Sequence, residues 1–212
     1  MHLFPICISL QNKQCLVIGG GQVALRKVEN LLEYEAEITV VSPRAENGIE
    51  MLAQQGVIIW HKRNFAENDL LNVFLVFIAT DDNSVNQYIG QLCSREGILV
   101  NAVDDPPNCD FYVPSVIRRG SLVVAVSTEG KSPLYAQKLR RELEDTITEA
   151  QGRFVDLLGE QREIIKTRII DIDTRQEIYK ALVNSDVLDL LTAGEEEKAR
   201  ERIRECMSFW LD

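Results

Sequence analysis

Cys15-Leu-Val-Ile-Gly-Gly-Gly-Gln-Val-Ala-Leu-Arg26 is the stretch on which the reading of this chain turns. Gln14–Ile18 is a short apolar run that predicts a strand, and from Ala24 to Tyr34 the residues Val28, Leu31 and Leu32 share one face opposite charges, which predicts an amphipathic helix. Between them, Gly19-Gly-Gly21-Gln-Val-Ala24 satisfies G-x-G-x-x-A, and the strand-to-helix context separates a dinucleotide-binding turn from a chance match. Gly19 permits the tight turn, Gly21 lets the backbone approach a pyrophosphate, and Ala24 lets the helix lie close on the sheet. The helix N-terminus adds amides and positive potential. One part of the pattern is missing. A carboxylate for the adenosine ribose is expected about twenty residues on, at the end of the second strand. There the chain reads Ile38-Thr-Val-Val41 and then Ser42-Pro-Arg44, and Glu37 lies at the wrong end. Ser42 can hydrogen-bond a ribose hydroxyl. Arg44 can pair with a 2′-phosphate or be an exposed charge at a helix start, so the residues alone leave NAD and NADP both open.

Outward from this turn, short β-branched runs alternate with amphipathic segments as far as Val103. Strands are predicted at Glu37–Val41, Val57–Trp60, Val73–Ala79 and Ile98–Ala102. Helices should fill the gaps, one of them over Val85 to Arg95 with Val85, Ile89 and Leu92 inward. The fold class is therefore α/β, a Rossmann-like parallel sheet. Thr80, Asp81 and Asp82 follow the fourth strand, and Asn101 to Asp104 close the fifth, at the edge where open α/β sheets bind ligands. Asp81, Asp82 and Asn83 read equally well as helix caps, and Asp104, ahead of Asp105-Pro-Pro107, as a turn residue. Beyond this turn, Phe111–Ile117 and Leu122–Ser127 flank Arg118-Arg-Gly120 and predict a hairpin. Ser132-Pro133 then predicts a capped helix start, with Tyr135, Leu139, Leu143 and Ile147 at helical spacing. From Gly152 the sequence is helical and charged. The expected divisions are 1–110, a small α+β region over 111–150, and a helical C-terminal domain over 151–212.

A length of 212 residues, 45% hydrophobic, is enough to bury a real core. Apolar runs such as Val73–Ala79 are too short to cross a bilayer, and Met1–Pro5 lacks the basic start of a signal peptide, so a soluble cytoplasmic protein is expected. Five cysteines without a C-x-x-C pair read as reduced thiols, and two histidines argue against a preformed His-rich metal site; any metal ligands stay unknown. A formal charge of -10 argues against nucleic acid and anionic membrane as partners. Between Arg118 and Arg141, however, six basic residues face Glu129 alone, giving a local +5 able to meet carboxylates.

Five motifs in order carry a resemblance to a known family: Gly19 to Lys27 (G-G-G-x-V-A-x-R-K), Ala79 to Asp82 (A-T-D-D), Asn101 to Asp104 (N-x-V-D), Phe111 to Ser115 (F-x-x-P-S) and Val124 to Pro133 (V-A-V-S-T-x-G-x-S-P). The chain resembles the precorrin-2 dehydrogenase/sirohydrochlorin ferrochelatase family, most closely from Met1 to about Glu144. The resemblance implies an NAD-dependent homodimer that oxidises precorrin-2 to sirohydrochlorin and, in many members, inserts Fe²⁺ to give sirohaem. Its members share a V-V-S-P-like strand end without the acid. It implies catalysis by Asp104, cofactor contacts at Gln22, Val23, Pro43 and Arg44, and a substrate-side loop at Ser127 and Thr128, where threonine stands in place of the family's serine. Precorrin-2 bears eight carboxylates, for which Arg118 and Lys131 are the expected partners. Pairing of two chains is expected over 111–150, where a hairpin and one helix have too little core of their own. Since the sequence ends at Asp212, the methyltransferase module of the fused enzymes is expected to be absent. Two alternatives stand beside this reading: a dehydrogenase without chelatase activity, and a non-enzymatic NAD-binding redox sensor.

Overall fold

Short strands that are apolar at every position must be covered on both faces, which a parallel sheet between helices achieves. A computed structural model describes residues 2–103 and 105–211, and the chain divides into two compact units, Met1–Val113 and Pro114–Asp212. In the first unit β1 (Gln14–Ile18), α1 (Gln22–Leu32), β2 (Glu37–Val41), α2 (Asn47–Gln54), β3 (Ile59–His61), β4 (Leu75–Ile78), α3 (Asn83–Glu96) and β5 (Leu99–Ala102) follow in sequence. The sheet order is β3-β2-β1-β4-β5, all neighbours parallel, with Gln14 opposite Glu37 and Cys15 opposite Leu75. Alternate residues feed two cores. Cys15, Val17, Val40, Leu75 and Phe77 pack with Ala24, Val28 and Leu31 of α1, and Leu16, Ile18, Val76, Ile78 and Val100 pack with Ile89, Leu92 and Cys93 of α3.

The chain reverses direction across the sheet between β3 and β4, and the expected helix there is absent. A short 3-10 turn, Glu67–Leu70, makes the connection. Arg63 holds both carboxylate oxygens of Asp69 (2.5 and 2.8 Å), and Asp69 accepts the Ala66 amide at 2.8 Å. With only Leu70 buried in the turn, no apolar stripe exists to support more helix.

In the second unit β6 (Ser115–Arg119) and β7 (Leu122–Val126) form an antiparallel hairpin, and α4 (Pro133–Glu144), α5 (Glu149–Arg168), α6 (Ile172–Val183), α7 (Val187–Thr192) and α8 (Glu196–Leu211) follow. A separate helical core joins Phe154, Leu157, Ile165, Ile178, Leu182, Val187, Ala199, Ile203 and Met207. Ser132 caps α4 by accepting the Tyr135 amide at 3.4 Å, with Pro133 in its first turn. Several details differ from the sequence reading, and in the first unit Val85 of α3 is exposed while Ile89 and Leu92 are buried as expected. β6 begins at Ser115 and not Phe111, because the Phe111 carbonyl accepts from Asn101 Nδ2 (2.8 Å) and Pro114 has no N–H for a ladder. Ala136 is the buried residue of α4, Tyr135 is exposed, and Ile147 lies beyond the helix end.

The turn after β1 is a tight backbone junction. Gly19 has φ +120°, and a Cβ there would stand 2.1 Å from the Ala79 carbonyl oxygen. Gly19→Ala should lower stability by about 2–4 kcal/mol, combining left-handed strain with overlap, whereas Gly21→Ala should change it by less than about 1 kcal/mol. The two midpoints in urea unfolding check this; equal midpoints would mean the junction relaxes freely.

Candidate functional site

β1 ends at the point where the sheet's strand order reverses, between β2 on one side and β4 on the other. The Gly19 amide donates to Val41 O (3.0 Å) and the Ala79 amide to Ile18 O (2.7 Å), so all three strand ends meet at the turn. The three glycines do different work. Gly19 fits against Ala79, and Gly20 lies against the loop after β2, where a Cβ would come within 2.0 Å of Arg44 O and 2.8 Å of Ser42 Oγ. Gly21 faces open space, with nothing within 4 Å of a Cβ. Gly21 is also the N-cap of α1, which has no capping side chain and no acid in its first turn. The first amides of a helix have no intrahelical partner, so this end presents donors and partial positive charge to that space. Gly21, Gln22 and Val23 thus form an open cradle of the kind a pyrophosphate needs, and the residues present fit a dinucleotide.

Where the acid would stand, the loop after β2 is seated on the glycine turn by its backbone. The Glu46 amide donates to Gly20 O at 2.8 Å. Ser42 is buried, its Oγ donates to Arg44 O at 2.5 Å, and its carbonyl accepts from Trp60 Nε1 at 3.1 Å. Its hydroxyl proton is therefore engaged within the loop, leaving oxygen lone pairs. Pro43 and Arg44 are exposed at the rim.

After β4, the Thr80 hydroxyl donates to Asn86 Oδ1 (2.5 Å) and Asn86 Nδ2 returns a bond to Thr80 O (3.0 Å). Asn86 is a buried polar residue on the inner face of α3, and it fixes the strand-end loop. The sequence carried a signal for it, an amide in register with Ile89 and Cys93. Asp82 caps α3, accepting from the Ser84 and Val85 amides, and the Ser84 hydroxyl holds its carboxyl below the usual carboxylate range. Asp81 is exposed beside it. After β5, Asn101 is buried and spends its amide on Phe111 O. Asp104 lies outside the described residues; on either side of it, the Val103 amide donates to Ile78 O (3.0 Å) and the Asp105 amide to Ala102 O (3.3 Å). Lys27, on α1, stands 4.8 Å over the Phe77 ring, and burial pushes its ammonium below the usual lysine range.

The first unit therefore gathers Gly19, Gly21, Gln22, Val23, Ser42, Arg44, Thr80 and Asn101 at one sheet edge. Arg118, Ser127, Thr128 and Lys131 belong to the second unit. Ser127 Oγ accepts the Glu129 amide (3.2 Å) and Thr128 Oγ1 the Ser132 amide (3.1 Å), leaving both hydroxyl protons to donate elsewhere. The basic segment is partly neutralised by its own acids: Lys131 with Glu129 at 3.8 Å, Lys138 with Glu142 at 3.6 Å, and Arg140 with Glu144. Such exposed pairs are worth little and can exchange partners. Among the described residues no three His, Cys, Asp or Glu side chains cluster as metal ligands, and no helix is long and apolar enough to cross a membrane.

Comparison with known proteins adds three family matches along the chain. A model of NAD(P)-binding domains covers residues 6–115, one described as the sirohaem biosynthesis protein central region covers 119–146, and one described as the sirohaem synthase dimerisation region covers 150–207. Among curated relatives, the siroheme synthase of Nitrosococcus oceani is 37% identical over 94% of this chain and that of Thioalkalivibrio sulfidiphilus 39% identical over all of it. The chain spans only 42% and 43% of those two proteins. Among solved structures, SirC, a precorrin-2 dehydrogenase, aligns with a TM-score of 0.78 and 26% identity, covering 96% of this chain and 100% of the other.

If the space in front of Gly21 receives a pyrophosphate, Gly21→Asp should weaken dinucleotide affinity by about two orders of magnitude, since like charge would enter the cradle. Thermal unfolding should be little changed. Calorimetric titration with NAD⁺ checks it, and an unchanged affinity would make the turn purely architectural.

Proposed function

This chain belongs to the NAD(P)-binding family of sirohaem synthase amino-terminal modules and precorrin-2 dehydrogenases, and we propose that it oxidises precorrin-2 to sirohydrochlorin with NAD⁺. The observation that carries this reading is the end-to-end likeness to a precorrin-2 dehydrogenase, with an open, uncapped helix N-terminus at the sheet's switch point. When bound, the nicotinamide supplies the hydride acceptor. Gly21 leaves room for the pyrophosphate, the amides of Gln22 and Val23 meet its charge, and the rim of Ser42, Pro43 and Arg44 flanks the adenosine side. Thr80, Asp81 and Asn101 complete the cofactor wall, fixed by Asn86 and by the Phe111 carbonyl. Asp104 takes the proton that the macrocycle loses as the hydride leaves, and passes it to water. Arg118 and Lys131 meet the substrate's carboxylates, Lys131 by trading its weak pair with Glu129, and the hydroxyl protons of Ser127 and Thr128 donate to them.

NAD⁺ is the preferred cofactor in this reading, and Arg44 is a surface charge at the rim. Fe²⁺ is a substrate, not a resident metal: Asp104 also accepts pyrrole N–H protons as Fe²⁺ enters sirohydrochlorin. The working compartment is the cytoplasm, where five free thiols stay reduced. In this reading residues 1–110 form the cofactor domain and 151–212 the helical domain, and pairing over 111–150 stands beside the match of 150–207 to a dimerisation-region model, which names the helical domain as the competing pairing surface.

Anaerobic mixing of precorrin-2 with NAD⁺ should give one NADH per sirohydrochlorin, with NADP⁺ slower, and Asp104→Asn should lower the rate by about 10² while keeping NAD⁺ affinity. Absence of NADH would leave a binding module, and full turnover of Asp104→Asn would remove that carboxylate from the chemistry. In the same vessel, Fe²⁺ insertion above the protein-free rate identifies a chelatase; a rate equal to it leaves a dehydrogenase alone.

A homodimer accounts for side chains that one chain leaves uncovered, since Leu134 and Tyr135 on α4 are 80% and 57% exposed. Leu134→Glu with Tyr135→Glu should convert a dimer to a monomer in light scattering. A dimer that persists in this variant but is lost on truncation before residue 150 would move the pairing surface to the helical domain.

A further inference from the structure

The hairpin of β6 and β7 is held at its tip by one face of α5. Glu149, Gly152 and Asp156 are spaced three and four residues apart, and so stand in a row along that helix. Together they take hold of the three residues at the turn. Glu149 Oε1 lies 3.1 Å from the buried Arg119 Nε. Gly152 lets the helix meet the strand, since a Cβ there would stand 2.5 Å from Arg119 O. Asp156 Oδ1 accepts the Ser121 amide at 3.2 Å, and its Oδ2 stands 2.5 Å from where a Cβ on Gly120 would be. The Ser121 hydroxyl, and then its amide, hold the Asp156 carboxyl below the usual carboxylate range.

This grip separates two neighbouring arginines, because successive side chains of a strand point to opposite faces. Ile117 and Arg119 share the face turned to the helices: Ile117 is buried, and the Arg119 side chain is only 24% exposed. Arg119 spends its charge there on Glu149, and its Nη1 donates to the Arg118 carbonyl at 3.0 Å. Arg118 lies on the other face, exposed, across the ladder from Val123. The backbone of residue 118 is thus tied to α5 through Arg119, and the turn after it through Gly120 and Ser121. One arginine holds the strand; the other is the one the strand presents.

We propose that Glu149, Gly152 and Asp156 form a positioning face for the substrate: they fix the tip of the hairpin so that Arg118 is delivered at a set place to a carboxylate of the macrocycle. This rests on the reading of Arg118 as a substrate contact. A strand whose tip is already fixed loses less freedom when its arginine meets a carboxylate. The proposed cofactor contacts all belong to the first unit, so loosening the grip should weaken substrate binding and leave NAD⁺ binding as it was.

The test compares wild type, Asp156→Ala and Asp156→Asn in precorrin-2 oxidation and in amide hydrogen exchange, each also in an Arg118→Gln background. Asp156→Ala should raise KM for precorrin-2 about fivefold, with kcat and KM for NAD⁺ unchanged. Asp156→Asn keeps a carbonyl oxygen for the Ser121 amide and should retain most of the wild-type KM. With Arg118→Gln, which raises KM by itself, Asp156→Ala should add less than about twofold, since residues acting through one contact are not additive. Exchange at the Ser121 amide should rise about tenfold in Asp156→Ala and little in Asp156→Asn. A full further rise of KM in the Arg118→Gln background would overturn the proposal, because Asp156 would then act by another route, as would a wild-type KM in Asp156→Ala. If Arg118→Gln alone leaves KM unchanged, or the wild type is inactive, the substrate reading fails and the positioning role fails with it. Ser121 exchange distinguishes that case, because it would still respond to Asp156→Ala.

Discussion

Everything in the first unit depends on how closely β1 and β4 approach at their carboxyl ends. The Ala79 carbonyl occupies the volume a side chain on residue 19 would need. Only glycine can turn there with φ +120°, and that turn sets the direction in which α1 leaves the sheet. Because α1 leaves in that direction, Ala24, Val28 and Leu31 meet the strands and the helix N-terminus points at the switch between β1 and β4. The loop after β2 closes on Gly20 by the same logic, backbone against backbone, and leaves Gly21 as the one open member of the three.

That arrangement also answers the electrostatic problem of a chain with net charge -10 that handles an anionic cofactor and, in the proposed reaction, a macrocycle with many carboxylates. Peptide dipoles carry no net charge, so an uncapped helix end attracts phosphate without an added cation. The basic segment of the second unit works differently. Both of its lysines are paired with nearby glutamates at the surface, and the pairs Lys131–Glu129 and Lys138–Glu142 are screened and easily exchanged.

Much of this was legible in the residues. β1 and β2 have the bounds that their apolar runs indicate, and Ser132-Pro133 marks the start of α4 because a cap and a proline each have one good place in a helix. The glycine turn could be read because each glycine answers a local backbone demand. What stayed hidden depends on partners distant in sequence. Nothing near Phe111 announces that its carbonyl belongs to Asn101, so a strand-like run became an irregular approach to β6. The link before β4 looked like room for a helix until Asp69 was found clamped by Arg63. Ser42 offered a free hydroxyl in the sequence and an engaged one in the fold, and Cys109 looked like an ordinary reduced thiol until its two carbonyl partners were seen.

In the proposed function the open side of Gly21 receives the cofactor's pyrophosphate. A crystal structure of the protein with NAD⁺ tests it most directly. Phosphate oxygens are expected within hydrogen-bond reach of the Gln22 and Val23 amides, with the nicotinamide directed toward the ends of β4 and β5. Pyrophosphate density anywhere else, such as the cavity beside Arg95 and Cys109, with the glycine turn left bare, would contradict it.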